Sequence, residues 1–437
     1  MTKSTKLDHM RVPDTQPFVP VILGGDIGTY SLAREFHEAY GAISVVVPAA
    51  SNGVLDYSVA IDVRPAGTMT QADVVVHHLK EIAQDLSPNG ERKLLLFGSL
   101  DLQVTLIARH REQLEDKFVI PYVDIDTMER AALKENFYEL CAELGVPHPT
   151  TVAVDMVEHA AGAPAPKNLP YPLIGKPADS SAWVHAKFEG KKKIHTITDE
   201  GDLLSLLGRI AGSGYRQKFI LQEYVPGGDD HMRLCTYWAD QPGHVTFAAY
   251  GEVVVEEHSP IVLGNSAGIV TGVNEDVINH GVRLLEALKW EGFGMIDAKL
   301  DPRDGLVKFF ELNPRLGRNH YYVTATGHNA ARFYVRRYLG EDYDAASLRS
   351  PENGSVQRVG DVDAANSELL YTVLPLPLLR KHLRGPVGEK AARLIAAKRV
   401  VNPLLYKAEK NPRRLVYLAM NAVNYVRKFR QFPPRTS

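Results

Sequence analysis

The sequence predicts an α/β protein built from several subdomains, and three observations carry the prediction. The ordered part opens on a strand–turn–helix–strand run, "FVPVILGGDIGTYSLAREFHEAYGAISVVVPA". Short apolar runs bounded by turn residues then alternate with amphipathic stretches down the chain. The 437 residues, 45% hydrophobic and 23% charged, are too many for one core, so roughly two to four subdomains are expected.

The lead-in "MTKSTKLDHMRVPDTQPF" is polar and lacks the apolar stretch of a secretory signal. Residues 19–23 form a short buried strand, and Gly24, Gly25 and Gly28 make a tight turn. Residues 29–40 have helical apolar spacing, and 43–47 are a second buried strand. Such a unit implies a parallel sheet. A helix near 71–86, the strand "KLLLFG" and a helix near 102–113 complete a doubly wound domain over about 18–125.

The helix "DTMERAALKENFYELCAELG" follows, stopped by Gly145 and Pro147. "HAAGAPAPKNLP" reads as a linker and "YPLIGKP" as a strand. "VHAKFEGKKKIHTI" is expected to be a hairpin turning at Glu189–Gly190, its lysines solvated. "DEGDLLSLLGRIAGSG" is a helix and "KFILQEYV" a strand. Residues 232–255 read as strand, turn at "DQPG", strand. A helix over 275–289 leads to "GMIDAKLD" and "LVKFFELN", joined by the turn "PRDG". A helix over about 321–339 closes this section.

The chemistry concentrates in that last hairpin. Glu311 and Asn313 are two apart on one strand and share a face. Hairpin pairing can bring Asp297 beside them. Two carboxylates and an amide oxygen make an all-oxygen set, which suits Mg²⁺ and leaves room for phosphate oxygens. Arg315 and Arg318 follow at once and can take charge on phosphoryl or carboxylate groups. The plain alternative is a solvated hairpin with surface charges. Lys176 is the only charge in "YPLIGKP", a position costly for a lysine unless it meets an anion. Lys134, mid-helix, would ordinarily be a surface lysine. Backbone at Gln222, Glu223, Tyr224 and Val225 can face an adenine edge, and Asp229 or Asp230 can accept from ribose hydroxyls.

In this order, "GGDIG" in a Rossmann-like first domain, Lys134, "GKP", "LQEYV", "MIDAKLD" and "ELNPRLG" resemble the ATP-grasp superfamily over about residues 18–340. Its members are ATP-dependent ligases that join a carboxylate to an amine through an acyl-phosphate. The resemblance implies an ATP-grasp fold with an N-terminal Rossmann-like domain at 18–125. A small subdomain would cover 126–215, a large one 216–340, and a basic helical extension 341–437. It implies ATP and Mg²⁺ as cofactors. Lys134 and Lys176 would contact phosphates, Glu223 and Val225 would supply the adenine hinge, and Asp297, Glu311 and Asn313 would ligate Mg²⁺. Arg315 would lie near the acyl-phosphate. Many members have a glycine-rich loop over the phosphates, whereas here it reads "PADSSAWVHAK", where Ser180 and Ser181 can supply hydroxyls and N–H groups. Within the superfamily the chain looks most like carboxylate–amine ligases that add an acidic amino acid such as D-aspartate to cell-wall precursor peptides.

The alternatives are a dipeptide or amino-acid ligase of the same superfamily and a non-catalytic nucleotide-binding regulator. A dehydrogenase is disfavoured, since "GGDIG" departs from G-x-G-x-x-G. Asp26 could hold an amine or amino acid, or simply face solvent. One of His320 and His328 could touch substrate, but two surface or capping residues are the plainer reading. No Cys/His set has zinc spacing, and G-x-S-x-G is absent. Cys141 and Cys235 read as buried free thiols, and the cytoplasm is the expected compartment. Partners are expected to be small amino-acid and amine or peptide substrates, with no nucleic acid.

Charge is uneven. The net charge is −2, yet from Arg380 onward there are 15 Lys/Arg against Glu389 and Glu409, leaving 35 basic and 50 acidic residues before that point. No run of about 18 apolar residues occurs, so no transmembrane helix is predicted. "NPRRLVYLAMNAVNYVRKFRQFPP" reads as a helix of about 15 residues flanked by arginines. Either it lies on an anionic membrane surface, or it packs on the acidic body. Apolar residues nearly all round it speak for packing.

Overall fold

The computed structural model describes residues 10–178, 183, 185–192, 194–260, 262–340, 356–358 and 368–434. The chain forms two compact units. One comprises Met1–Ala131, Gly228–Asp297 and Leu312–Thr436, the other Ala132–Gly227 and Ala298–Glu311.

The first unit begins with β1 (Phe18–Leu23), β2 (Ser44–Val47), β3 (Ile61–Val63) and β4 (Lys93–Gly98), a parallel sheet in the order β3-β2-β1-β4. Every residue of β1, β2 and β3 is buried, the mark of strands covered on both faces. Helix Ile27–Tyr40 follows β1, capped by Asp26, whose carboxylate accepts from the Thr29 N–H at 2.9 Å. The helix expected near 102–113 is broken at His110 into Asp101–Arg109 and Arg111–Leu114. Likewise the one expected over 126–145 is two helices, Ile125–Ala132 and Lys134–Glu143, separated at Leu133. Lys134 therefore starts a helix and is not in the middle of one.

The second unit holds an antiparallel sheet of β5 (Thr151–Asp155), β6 (Leu173–Pro177), β7 (His195–Ile197) and β8 (Lys218–Glu223), in the order β5-β8-β6-β7. Among the described residues, the hairpin expected over 184–197 shows only its second strand, β7, and Trp183 just before it is buried. Its ring packs on Tyr215 at 5.0 Å and on Phe219 at 5.6 Å, and its indole N–H donates to the Lys192 carbonyl. Helix Glu200–Gly212 covers this sheet with Leu203, Leu206, Leu207 and Ile210 buried.

The chain goes on to β9 (Met232–Gln241), β10 (His244–Glu257), β11 (Asn265–Gly272), β12 (Gly292–Leu300) and β13 (Val307–Asn313), the last three residues of β12 and the first five of β13 being counted with the second unit, then β14 (Gln357–Arg358), β15 (Leu370–Thr372) and β16 (Val400–Val401). The sheet order is β13-β12-β9-β10-β11-β15-β16, with β14 on β10. The segment expected as one helix over 321–339 is two, Tyr321–Ala325 and Ala330–Tyr338. Gly327, at φ 98°, takes a left-handed conformation that no helix continues through. Besides its helices, the basic extension adds β15 and β16 to the sheet, and Tyr425 and Phe429 of helix Pro412–Gln431 join the main core. No helix among the described residues is long and apolar enough to cross a membrane.

Candidate active site

Strand register builds the lysine cluster of the second unit. On the β6–β8 ladder Ile174 pairs with Gln222 and Lys176 with Ile220. Lys176 and Gln222 are thus diagonal neighbours on one face, and the ammonium donates to the Gln222 side-chain oxygen at 2.9 Å. The Gln222 amide donates in turn to the Tyr138 hydroxyl, which donates to the Phe310 carbonyl at 2.7 Å. Lys134 donates to Glu311 at 2.8 Å. Burial lowers the Lys176 ammonium, the adjacent Lys134 charge lowers it further, and it stands at about 7. Burial also works against the Lys134 charge, but Glu311 outweighs it and holds that lysine above its usual value. Two ammonium groups packed together beside a single carboxylate are short of negative charge.

The end of β8 is held by its own polar set. Glu223 accepts from the Thr150 N–H at 3.0 Å and pairs with Arg303 and Lys308, the latter at 3.3 Å. The Tyr224 N–H donates to the Pro172 carbonyl at 3.0 Å, and Lys299 donates to the buried Val225 carbonyl at 2.9 Å. Ser180 and Ser181 lie outside the described residues.

In the first unit, Asn313 donates to Asp297 at 2.8 Å, and Arg315 donates to the Asn313 oxygen at 3.3 Å and to Asp101 at 2.8 Å. Arg318 takes other partners. It donates to the buried Glu257 at 2.9 Å and stands 4.0 Å from Asp26. The two arginines of "NPRLGR" thus serve different neighbours. Gly28 explains part of the "GGDIG" turn, since a Cβ there would lie 3.0 Å from the Arg318 Cα. The glycine lets the first helix press against that backbone. Asp229 accepts from the Glu256 N–H at 2.9 Å and from His258, so its carboxylate is engaged inside the protein. Asp230 pairs with His231 at 3.0 Å. Neither His320 nor His328 is on the surface. His320 is buried against Glu35 at 3.0 Å, and His328 packs on the Phe247 ring at 4.8 Å.

Sequence reasoning missed Tyr138, Lys299, Arg303 and Lys308. The only sequence signal for the last two was their place beside acidic residues, Arg303 inside the "PRDG" turn and Lys308 three residues after it.

No protein-family model matches the chain. It is 28% identical to the D-aspartate ligase of Enterococcus faecium over 423 residues, which is 96% of this chain and 97% of that protein. Among solved structures it is similar to the L-amino acid ligase of Bacillus licheniformis (TM-score 0.51, 13% identity, 78% of each chain). It is also similar to biotin carboxylase of Campylobacter jejuni, with a TM-score of 0.53 and 13% identity over 76% of this chain and 72% of that one. These two likenesses give the fold. The chain has the fold of the ATP-grasp ligases it resembles and is similar from end to end to D-aspartate ligase.

Proposed function

We propose that the carboxylate substrate is an acidic amino acid, D-aspartate first, and that the amine lies on a cell-wall precursor peptide. The observation that carries the nucleotide half of this reading is the pairing of Lys134 and Lys176 beside one carboxylate. Such a cluster is built for a polyanion, and ATP phosphates supply one. The end-to-end similarity to D-aspartate ligase supports the amino acid.

Lys134 and Lys176 hold phosphate oxygens, with Gln222 and Tyr138 fixing the reach of Lys176. The segment from Gln222 to Val225 faces the adenine. Asp297, Glu311 and Asn313 fit Mg²⁺ by donor type, because all three offer hard oxygens and the Asn313 amide nitrogen is already turned to Asp297. When bound, Mg²⁺ would neutralise charge on the β- and γ-phosphates. The amino-acid carboxylate attacks the γ-phosphorus, and ADP leaves. The amine then attacks the acyl carbon, displacing phosphate and leaving an amide. Arg315, beside Asn313, is placed to take charge on the acyl-phosphate. Positioning and electrostatics do the work, with no general base required in the first step. The free buried thiols Cys141 and Cys235 accord with a reducing, cytoplasmic compartment.

Two measurements test this. Glu311→Gln should abolish ADP formation with the fold intact by circular dichroism; turnover like the parent's would remove Glu311 from the metal set. ADP release across D- and L-amino acids, with and without a precursor peptide, should be fastest with D-aspartate plus peptide. Strict preference for a neutral amino acid such as alanine would mean a dipeptide ligase instead.

A further inference from the structure

Helix Pro412–Gln431 has two apolar faces, and among the described residues one of them is buried. Arg414, Tyr425 and Phe429 are buried. At about 100° per residue they fall within an arc of roughly 60°. On the other side Leu415 (53% exposed), Val416 (60%), Met420 (66%) and Val423 (70%) are in solvent. They fall within an arc of about 140°. Single exposed apolar residues are ordinary, but four on one helix face form a continuous patch.

The charge around that patch has one sign. The helix carries Arg413, Arg414, Arg427, Lys428 and Arg430 and no acidic residue. Arg427 and Arg430 are exposed within the same arc as the apolar four, at its C-terminal end. With Val423, Val426 and Gln431 they line a shallow depression of about 400 Å³. Guanidinium groups over an apolar floor suit a phosphodiester whose chains continue into hydrocarbon. The helix cannot cross a bilayer, but it is placed to lie along one. A second copy of the chain is the poorer fit, because most of its surface charge is mixed whereas a lipid headgroup layer is uniformly anionic.

We propose that this outer face docks the protein on an anionic lipid bilayer, Leu415, Val416, Met420 and Val423 entering the headgroup–acyl boundary while Arg413, Arg427 and Arg430 contact lipid phosphates. The inference does not rest on the ligase reading, and its test uses neither ATP nor amino acid.

Co-sedimentation of the full chain is compared on phosphatidylglycerol–phosphatidylcholine vesicles and on pure phosphatidylcholine vesicles. Binding to the anionic vesicles should be stronger by at least about tenfold and should weaken as salt rises. Met420→Asp/Val423→Asp and, separately, Arg427→Glu/Arg430→Glu should each lose most of that binding while keeping the parent's Tm, since all four side chains are exposed. A parent that stays in the supernatant with both vesicles overturns the proposal. So does undiminished binding by both variants, which would put the contact elsewhere. Concentration-dependent dimers that vanish in the variants, with no vesicle binding, would assign the face to a second copy and equally overturn it.

Discussion

Lys176 shows how much one residue can disclose. A lone charge at the end of an apolar strand already asks for an anion, and that much is legible in "YPLIGKP". Its partners are not, because Gln222 is 46 residues away and Tyr138 meets the Phe310 carbonyl across 172 residues. Only the β6–β8 register joins them. Lys176→Met keeps the packing and removes the charge, so ATP affinity should fall by about 10- to 100-fold, since charge-assisted contacts contribute about 1.5–3 kcal/mol each. Equilibrium nucleotide titration checks this, and unchanged affinity would make the lysine structural. His320 does stand at the N-cap position of helix Tyr321–Ala325, but its burial was not legible for a similar reason, its Glu35 partner being 285 residues upstream. Burial alone would lower its pKa, but Glu35 at 3.0 Å outweighs burial and holds it above 6.5. A folded value above the unfolded one gives stabilisation that is complete below the unfolded pKa and is lost as pH rises through the folded one. The stability gap between parent and His320→Asn, read by urea unfolding, should therefore be larger at about pH 6 than at about pH 9. A gap that widens toward high pH would refute the assignment.

Among elements, strands were more legible than helix boundaries. The apolar runs of β1, β4 and β8 show their ends directly, whereas the breaks at Leu133 and His110 carry no side-chain cap that would announce them. Helical glycines make the same point quantitatively. Gly281 lies inside the buried face of helix Glu275–Ala287, where an added Cβ would overlap the Tyr237 hydroxyl. That hydroxyl donates to the Val277 carbonyl at 2.8 Å. Gly208 sits on the exposed face of helix Glu200–Gly212 with open space where a Cβ would go. Propensity alone would favour alanine at both by about 1 kcal/mol. Gly208→Ala should indeed stabilise by about 0.5–1 kcal/mol. Gly281→Ala should destabilise by about 2 kcal/mol, because overpacking and a broken buried hydrogen bond exceed the propensity gain. Thermal unfolding of the two variants should move Tm in opposite directions, and a common direction would mean that packing is not what decides at Gly281.

At the scale of the molecule, the question is whether the basic tail is an appendage or part of the ligase body. Composition set it apart, and the ATP-grasp motifs stop before it. Packing gives a different boundary. Arg414 is fully buried, its guanidinium 4.3 Å over the Tyr30 ring and 3.3 Å from Glu409. Glu409 accepts from the Ser58 hydroxyl at 2.6 Å, the Tyr30 hydroxyl at 3.1 Å and the Val59 N–H at 3.0 Å. Tail and first domain therefore share one buried polar network. The match to D-aspartate ligase, at 96% of the chain, also runs through the tail. Deleting residues 411–437 would strand the Glu409 carboxylate without its cation, at a cost of about 3–5 kcal/mol. It would also empty the places of Tyr425 and Phe429, each about 3–5 kcal/mol if truncated. Against a net stability of about 5–15 kcal/mol for a typical domain, the sum leaves little or nothing. The truncated chain should fail to accumulate as soluble, cooperatively unfolding protein. Arg414→Met alone should lower stability more than Arg414→Met combined with Glu409→Gln, because the double change removes the orphaned charge. A truncated protein with the parent's Tm and ADP release would show the opposite, that residues 411–437 are dispensable to the fold and the buried network does not hold the first domain together.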